Sequence, residues 1–172
     1  MGIRDFDVRV PAVEEICPDS IVGAERVCYL SRLKAEAAQP LVTPEDIVIA
    51  ADTLVLLDGQ MLGKPKDEAN ALAMLSMLSG REHEVCTGVT VSRNGQYETE
   101  SATTYVRFRS LTEQELLSYI RTGEPMDKAG AYGIQGLGSL LVEGIRGDFY
   151  NVVGLPVPSL CRLLSHMDYP LL

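Results

Sequence analysis

A long antiparallel hairpin is the feature that most restricts how this chain folds. Residues 85–91 and 97–108 are rich in β-branched and aromatic side chains, and Asn94-Gly95 lies between them. Asn-Gly adopts the positive φ angles of a two-residue turn whose twist matches that of paired strands. A hairpin is stable in water only when more strands extend it or other elements cover its apolar face. The sequence therefore predicts a larger sheet built around this hairpin.

The rest of the chain alternates between helix and strand patterns. Apolar residues recur at helical spacing from Gly23 to Ala38, and Pro40 ends this pattern. Thr112, with Glu115 three residues later, has the form of a capping box at the start of a helix. This alternation predicts a mixed α/β fold. The predicted helices are 23–38, 68–78 with Asp67 as N-cap, 112–121 and 157–164, and the predicted strands outside the hairpin are 6–10, 47–57 and 140–145.

Size and composition favour one domain spanning residues 1–172. With 172 residues, of which 46% are apolar and 23% charged, the chain is long enough for one well-buried core and too short for two. No repeat, low-complexity tract or linker interrupts the sequence. We therefore expect a single globular domain.

Charge and hydropathy exclude several classes of partner. The formal net charge is −9 and Lys and Arg do not cluster, which argues against a protein that grips the nucleic-acid backbone. No apolar stretch approaches the roughly 20 residues that cross a bilayer, and the first ten residues lack the apolar core of a signal peptide. Four widely spaced cysteines and two histidines predict neither a zinc site nor disulfides. We expect a cytoplasmic protein without nucleic-acid or membrane partners.

An acidic residue interrupts the apolar strand pattern of residues 47–57. Asp52 lies among Ile, Ala, Leu and Val residues, and an ionised carboxylate buried there is strongly destabilising unless it is paired or bound to a metal. Apolar residues resume directly after Asp52, which favours a continuous strand that carries a functional carboxylate. In the alternative, the strand ends or bulges at Ala51 and Asp52 is solvated.

Two loops contain further candidate ligand-binding residues. Lys64 lies between Gly63 and Pro65, but no Ser or Thr follows it, so this is not a Walker A motif. The segment is either a plain tight turn or a rigid turn that directs a cation at phosphate. The second loop, residues 127–138, is rich in glycine and contains Gln135, whose amide both donates and accepts, as contact with a base edge requires. The alternative for Gln135 is a solvated turn residue.

Five motifs taken together identify a family that no single one of them specifies. They are, in order, AADT, LGKP, LSGREHEVCTGV, DKAGAYGIQG and GDFYNVVGLP. In order and spacing they resemble the Maf family of nucleoside triphosphate pyrophosphatases, from about Gly2 to Leu164. The resemblance implies an α/β fold with an elongated mixed β-sheet flanked by helices, similar to the inosine triphosphate pyrophosphatases, and a homodimer. It also implies hydrolysis of nucleoside triphosphates to the monophosphate and pyrophosphate with a divalent metal cation, Mg²⁺ or Mn²⁺.

The resemblance also implies which residues act in catalysis. The aspartate of ADT, here Asp52, is the implied general base and a metal ligand. Glu15 in AVEE matches the glutamate that helps to hold the metal, although Glu14 replaces the usual aspartate before it. Lys34 in the first long helix and Lys64 in GKP are implied to contact the phosphates of the substrate.

Two positions indicate which nucleotides the family member accepts. The subgroup acting on dTTP and UTP has Thr after the catalytic aspartate and Gln in the glycine-rich loop, and this chain has Thr53 and Gln135 there. The expected substrates are therefore dTTP and UTP. A pyrophosphatase for modified nucleotides such as 7-methyl-GTP is the alternative within this enzyme class.

One part of the family pattern has no counterpart in this sequence. Family members begin with a strand and a Ser-x-Ser-Pro-Arg-Arg loop that contacts the triphosphate, and Gly2 matches the point just after the helix that this loop opens. The resemblance therefore implies a chain truncated at its N-terminus, with Met1 an internal methionine of a longer protein. It also implies an uncovered apolar sheet face and impaired activity. A catalytically impaired nucleotide-binding or dimerisation protein is the alternative function.

Overall fold

The computed structural model of the chain describes residues 6–171, which belong to two compact units. Gly2, where the family resemblance begins, lies outside the described residues. The first unit comprises Met1–Asp52, Thr87–Ala102 and Gly154–Leu172, of which residues 1–5 and 172 are not described. The second unit comprises Thr53–Cys86 and Thr103–Val153.

Within residues 6–171, five strands form a single sheet. They are β1 (Val48–Leu57), β2 (Gln60–Leu62), β3 (Glu82–Arg93), β4 (Gln96–Phe108) and β5 (Val142–Arg146). Their order in the sheet is β2-β1-β3-β4-β5. β1 and β2 pair antiparallel with Val55 opposite Leu62, and β4 and β5 are also antiparallel. Asn94 and Gly95 have φ angles of 51° and 76°, which confirms the predicted two-residue turn between β3 and β4.

Helices flank this sheet, and their capping signals act as the sequence predicts. The helices are α1 (Gly23–Ala38), α2 (Glu68–Leu78), α3 (Glu113–Ile120), α4 (Phe149–Val153) and α5 (Val157–His166). The Asp67 side chain accepts a hydrogen bond from the Asn70 N–H at 2.7 Å and so caps α2. Thr112 and Glu115 form the expected capping box on α3. Within residues 6–171, no helix has both the length and the apolar character needed to cross a membrane.

In the first unit, α1 and α5 pack against strand residues. A Cβ atom on Gly88 of β3 would lie 2.3 Å from the carbonyl oxygen of Val27, so only glycine allows α1 to approach this closely. The apolar clusters of this unit are Ala35, Ala38 and Val48 between α1 and β1, and Val89, Val91, Leu160, Leu163, Leu164 and Met167 around α5.

The second unit has its own apolar core. It is formed by residues of β1 to β5, α2, α3 and the loop after α3, and includes Val55, Leu57, Leu75, Leu78, Val85, Val106, Phe108, Leu116 and Tyr132. His83 is buried in this core, its ring edge-on to Phe108, and its Nε2 atom lies 2.8 Å from the Tyr132 hydroxyl. Burial lowers the pKa of His83 to about 4, so the imidazole is neutral at physiological pH.

The predicted α/β class is confirmed, but one predicted strand is wrong. Residues 6–10 have no regular secondary structure, and Phe6, Val8 and Val10 are 73%, 80% and 88% exposed. Alternation of apolar and polar residues produces a strand only where one face is buried and the backbone finds a pairing partner. The short helix α4 has no counterpart among the predicted elements.

Candidate active site

A single ammonium group joins two of the predicted acidic residues in the first unit. Lys34 Nζ lies 2.6 Å from Asp52 Oδ1 and 3.1 Å from Glu15 Oε2. The Asp52 side chain is 14% exposed and that of Lys34 23%, whereas that of Glu15 is 50% exposed. The structure therefore brings together three of the six predicted site residues, with Asp52 the most buried of the three.

The local structure explains why Lys34 meets Asp52. β1 is continuous through Asp52, which contradicts the alternative that the strand ends or bulges at Ala51. Side chains two positions apart in a strand share a face, so Asp52 lies on the same face as Val48. Val48 packs against Ala35 and Ala38 of α1. That face of β1 is therefore the one that α1 covers, and Lys34 extends from α1 to the carboxylate.

The charges of this cluster stabilise one another. Burial alone would lower the pKa of Lys34, but the hydrogen bond and charge of Asp52, followed by those of Glu15, outweigh burial and raise this pKa. Lys34 is therefore charged at physiological pH. A buried carboxylate without such a partner is strongly destabilising, so the Lys34 ammonium compensates the charge that Asp52 brings into the strand.

A cavity of about 370 Å³ lies beside this cluster, within the first unit. Glu15 and Lys34 line it, together with β1 residues 48–51. Arg9 also lines the cavity and forms an ion pair with Asp7 at 2.7 Å. Arg9 belongs to no sequence motif, so only its place in the cavity identifies it as a candidate anion ligand.

The acidic pair has the chemistry that a hard divalent cation requires. Glu15 and Asp52 already converge on one positive charge, and carboxylate oxygens are preferred ligands of Mg²⁺ and Mn²⁺. No group of three or more His, Cys, Asp or Glu side chains suited to a metal occurs among the described residues. Mg²⁺ is commonly held by one or two carboxylates together with substrate phosphates and water, so two carboxylates fit this ion when a nucleotide is bound.

The other three predicted site residues belong to the second unit. Thr53 is half-buried in β1, whereas Lys64 and Gln135 are exposed. The loops carrying the last two are joined, because the Gly130 N–H donates to the Gly63 carbonyl oxygen at 3.0 Å. The residue before Lys64 is thus hydrogen-bonded through its backbone to the glycine-rich loop that carries Gln135.

Three glycines of that loop lie close to other groups of the protein. A Cβ on Gly133 would lie 2.7 Å from the Lys128 side chain, and a Cβ on Gly136 would lie 2.3 Å from Glu124 Oε2. A Cβ on Gly138 would lie 2.4 Å from the Gly133 carbonyl oxygen. The close approach of the loop to these neighbours accounts for its glycine pattern.

Comparison with known proteins gives a consistent result. The sequence matches the family described as Maf-like protein over residues 1–167. A dTTP/UTP pyrophosphatase of Exiguobacterium sibiricum is 52% identical over 158 residues, covering 92% of this chain and 80% of that protein. A dTTP/UTP pyrophosphatase of Thermococcus gammatolerans is 51% identical over 161 residues, covering 94% and 85% of the two chains. One of Bacillus pumilus is 46% identical over 160 residues, covering 93% and 84%.

The family match extends over nearly the whole chain and includes the segments that carry all six predicted site residues. Proteins that share about half of their residues over such a length have the same fold. The chain belongs to the Maf family.

Proposed function

We propose that this protein hydrolyses nucleoside triphosphates, with dTTP and UTP as substrates, to the monophosphate and pyrophosphate. The observation that carries the proposal is the largely buried Asp52 carboxylate, held 2.6 Å from the ammonium of Lys34, which lines a cavity together with Glu15. Relatives that are about half identical to the chain and are named dTTP/UTP pyrophosphatase support the reaction and the substrates.

Asp52 has the properties of a general base in this reaction. Water that attacks the α-phosphorus must lose a proton, and a positioned carboxylate accepts it. β1 and the Lys34 hydrogen bond hold this carboxylate in place, so little reorganisation is needed when the substrate binds. In this mechanism the proton moves from water to Asp52, and the bond from the α-phosphorus to the leaving pyrophosphate breaks.

Cations must balance the charge of the triphosphate, because the protein is acidic overall. The carboxylates of Asp52 and Glu15 use two of the three N–H donors of Lys34, and a third is available for a phosphate oxygen. Lys64, on the rigid turn between Gly63 and Pro65, supplies a further point charge. Glu15 and Asp52 are the residues that would hold Mg²⁺ or Mn²⁺, and when bound the metal neutralises phosphate charge and polarises the phosphoryl group.

Thr53 and Gln135 are the proposed determinants of base preference. The uracil and thymine edge presents one N–H donor between two carbonyl acceptors, and the Gln135 amide contains both complementary groups. An exposed Gln135 in a loop of fixed shape supports this role. Strong preference for purine triphosphates would contradict it.

The proposal also includes a cytoplasmic homodimer. None of the four cysteines, all of which lie in the described part of the chain, forms a disulfide, as expected in a reducing compartment where nucleoside triphosphates are abundant. β5 is an edge strand of the sheet, and near it Leu137, Leu140 and Ile145 are 51%, 65% and 39% exposed. Exposed apolar side chains beside an edge strand favour association with a second copy. Sedimentation equilibrium would report a monomer if this part of the proposal were wrong.

The test of the reaction is pyrophosphate release from a panel of dTTP, UTP, CTP, GTP and 7-methyl-GTP with Mg²⁺ or Mn²⁺. We expect release from dTTP and UTP, and a loss of at least 100-fold in kcat, an order-of-magnitude expectation for a lost general base, in Asp52→Asn. Asp58→Asn is the matched control, since Asp58 follows the same strand but is 74% exposed and pairs with Arg81.

Each outcome separates the candidate functions. Equal activity of Asp52→Asn and Asp58→Asn would overturn the role of Asp52. Tight binding of dTTP without release of pyrophosphate would favour a nucleotide-binding protein over an enzyme. A strong preference for 7-methyl-GTP would favour the alternative substrate class, modified nucleotides.

A further inference from the structure

The exposed Gln135 lies between two backbone segments that are held by hydrogen bonds to the same pair of side chains. Before Gln135, the Gly133 N–H donates to the Tyr119 hydroxyl at 3.2 Å. After it, the Leu137 and Gly138 N–H groups donate to the Glu124 carboxylate, each at 2.9 Å. Both sides of the loop are therefore restrained.

The two side chains are themselves connected. The Tyr119 hydroxyl donates to Glu124 Oε1 at 2.9 Å, so the hydroxyl and the carboxylate form one network. Tyr119 is 5% exposed and is anchored in α3, within the apolar core of the second unit. Glu124 begins the 3₁₀ turn Glu124–Asp127. The network therefore attaches the loop of Gln135 to the apolar core of its unit.

The glycines on both sides of Gln135 reveal how closely this network approaches the loop. A Cβ on Gly136 would overlap the Glu124 carboxylate at 2.3 Å, and a Cβ on Gly138 would lie 2.7 Å from the Tyr119 hydroxyl. Larger side chains at these positions would push Glu124 and Tyr119 away from the backbone. The glycine spacing is thus the sequence signature of the network.

The protonation states suit these hydrogen bonds. Burial alone would raise the pKa of Glu124, but the Gly138 and Leu137 N–H donors and the Tyr119 hydroxyl outweigh it, and the pKa is lowered. Burial raises the pKa of Tyr119, and the nearby Glu124 charge adds to this effect. At neutral pH a charged carboxylate therefore accepts from a neutral phenol, and hydrogen bonds to an ionised group are stronger than neutral ones.

We propose that Glu124 and Tyr119 are positioning residues that hold Gln135 in the one place where its amide discriminates between nucleobases. This inference rests on the proposed role of Gln135 in base recognition. Discrimination between bases by hydrogen bonds requires donor and acceptor positions that are fixed within about 0.5 Å. If either side of the loop loses its hydrogen bonds to Tyr119 or Glu124, we expect the preference between bases to decrease before the affinity for the triphosphate does. Neither Glu124 nor Tyr119 is proposed to contact the nucleotide.

The test compares binding of UTP and CTP as their non-hydrolysable α,β-methylene analogues, so that it does not depend on turnover. We expect Glu124→Gln and Tyr119→Phe each to lower the ratio of CTP-analogue to UTP-analogue dissociation constants by roughly threefold to tenfold, as for one lost hydrogen bond. The change should be non-additive in the double variant, because the two residues form one network. Glu113→Gln, an exposed carboxylate on α3, is the matched control and should leave the ratio unchanged.

A Gln135→Ala background separates positioning from general destabilisation. In that background, Glu124→Gln should not change the ratio further, because the residue being positioned is absent. A ratio lowered by Gln135→Ala but unaffected by Glu124→Gln and Tyr119→Phe would overturn this inference alone. A ratio unaffected by Gln135→Ala, or absence of binding by either analogue, would overturn both the inference and the proposed base recognition. If Glu124→Gln does not fold, Tyr119→Phe decides the result.

Discussion

Lys34 and Asp52, 18 positions apart in the sequence, are joined by a 2.6 Å hydrogen bond between Nζ and Oδ1. Both side chains are mostly buried, so each compensates the charge of the other. The pair therefore contributes to stability as well as to the proposed chemistry.

Removing Lys34 should destabilise the protein by leaving Asp52 as an uncompensated carboxylate. For Lys34→Met we expect a decrease of roughly 1–3 kcal/mol in the free energy of unfolding at pH 7, less than for a fully buried pair because some solvent reaches the site. Urea unfolding measures this decrease. Adding Asp52→Asn to Lys34→Met should recover part of the loss, and a double variant less stable than Lys34→Met would contradict the coupling.

His83 should produce an acid-dependent loss of stability. Its pKa is about 4 in the folded protein and about 6.5 when unfolded, so its contribution is complete above pH 6.5 and is lost as the pH falls toward 4. Between pH 7 and pH 5 this one group accounts for a loss of roughly 2 kcal/mol. Urea unfolding of the wild type and of His83→Leu at both pH values measures the difference. The two proteins should lose stability by the same amount if His83 is not the cause.

Gly136→Ala should disturb the glycine-rich loop through the contact with Glu124. The added Cβ would lie 2.3 Å from the carboxylate, so the side chain or the loop must move, at a cost of roughly 1–3 kcal/mol. Gly144→Ala in β5 is the matched control, since a Cβ there meets nothing within 4 Å. Thermal unfolding of the two variants provides the comparison, and equal melting temperatures would show that the loop adapts without strain.

Glu15→Gln should weaken binding of a divalent cation in the presence of nucleotide. Mn²⁺ bound to the protein with the UTP analogue can be followed by electron paramagnetic resonance, independently of turnover. We expect roughly tenfold weaker Mn²⁺ binding in Glu15→Gln, because one of the two proposed carboxylate ligands is lost. Glu14→Gln is the neighbouring exposed control. Equal Mn²⁺ affinity of both variants would remove Glu15 from the metal site.

Local sequence signals predicted most secondary structure correctly. α1 occupies the predicted range, the Asp67 cap and the Thr112–Glu115 capping box form, and Asn94-Gly95 closes the hairpin. These signals are reliable because each acts through hydrogen bonds or φ angles within a few residues. Residues 6–10 show the limit of such reasoning, since their alternating pattern had no buried face to occupy.

By itself, the sequence determined most of the element types, the family and the identity of the six candidate site residues, because these depend on local chemistry and on motif order. Only the tertiary structure showed that Lys34 compensates Asp52, that Arg9 lines the same cavity as Glu15, and that Glu124 and Tyr119 restrain the loop of Gln135. Contacts between residues distant in the chain follow from how helices pack on strands, and neither periodicity nor spacing specifies which side chains then come within hydrogen-bond distance.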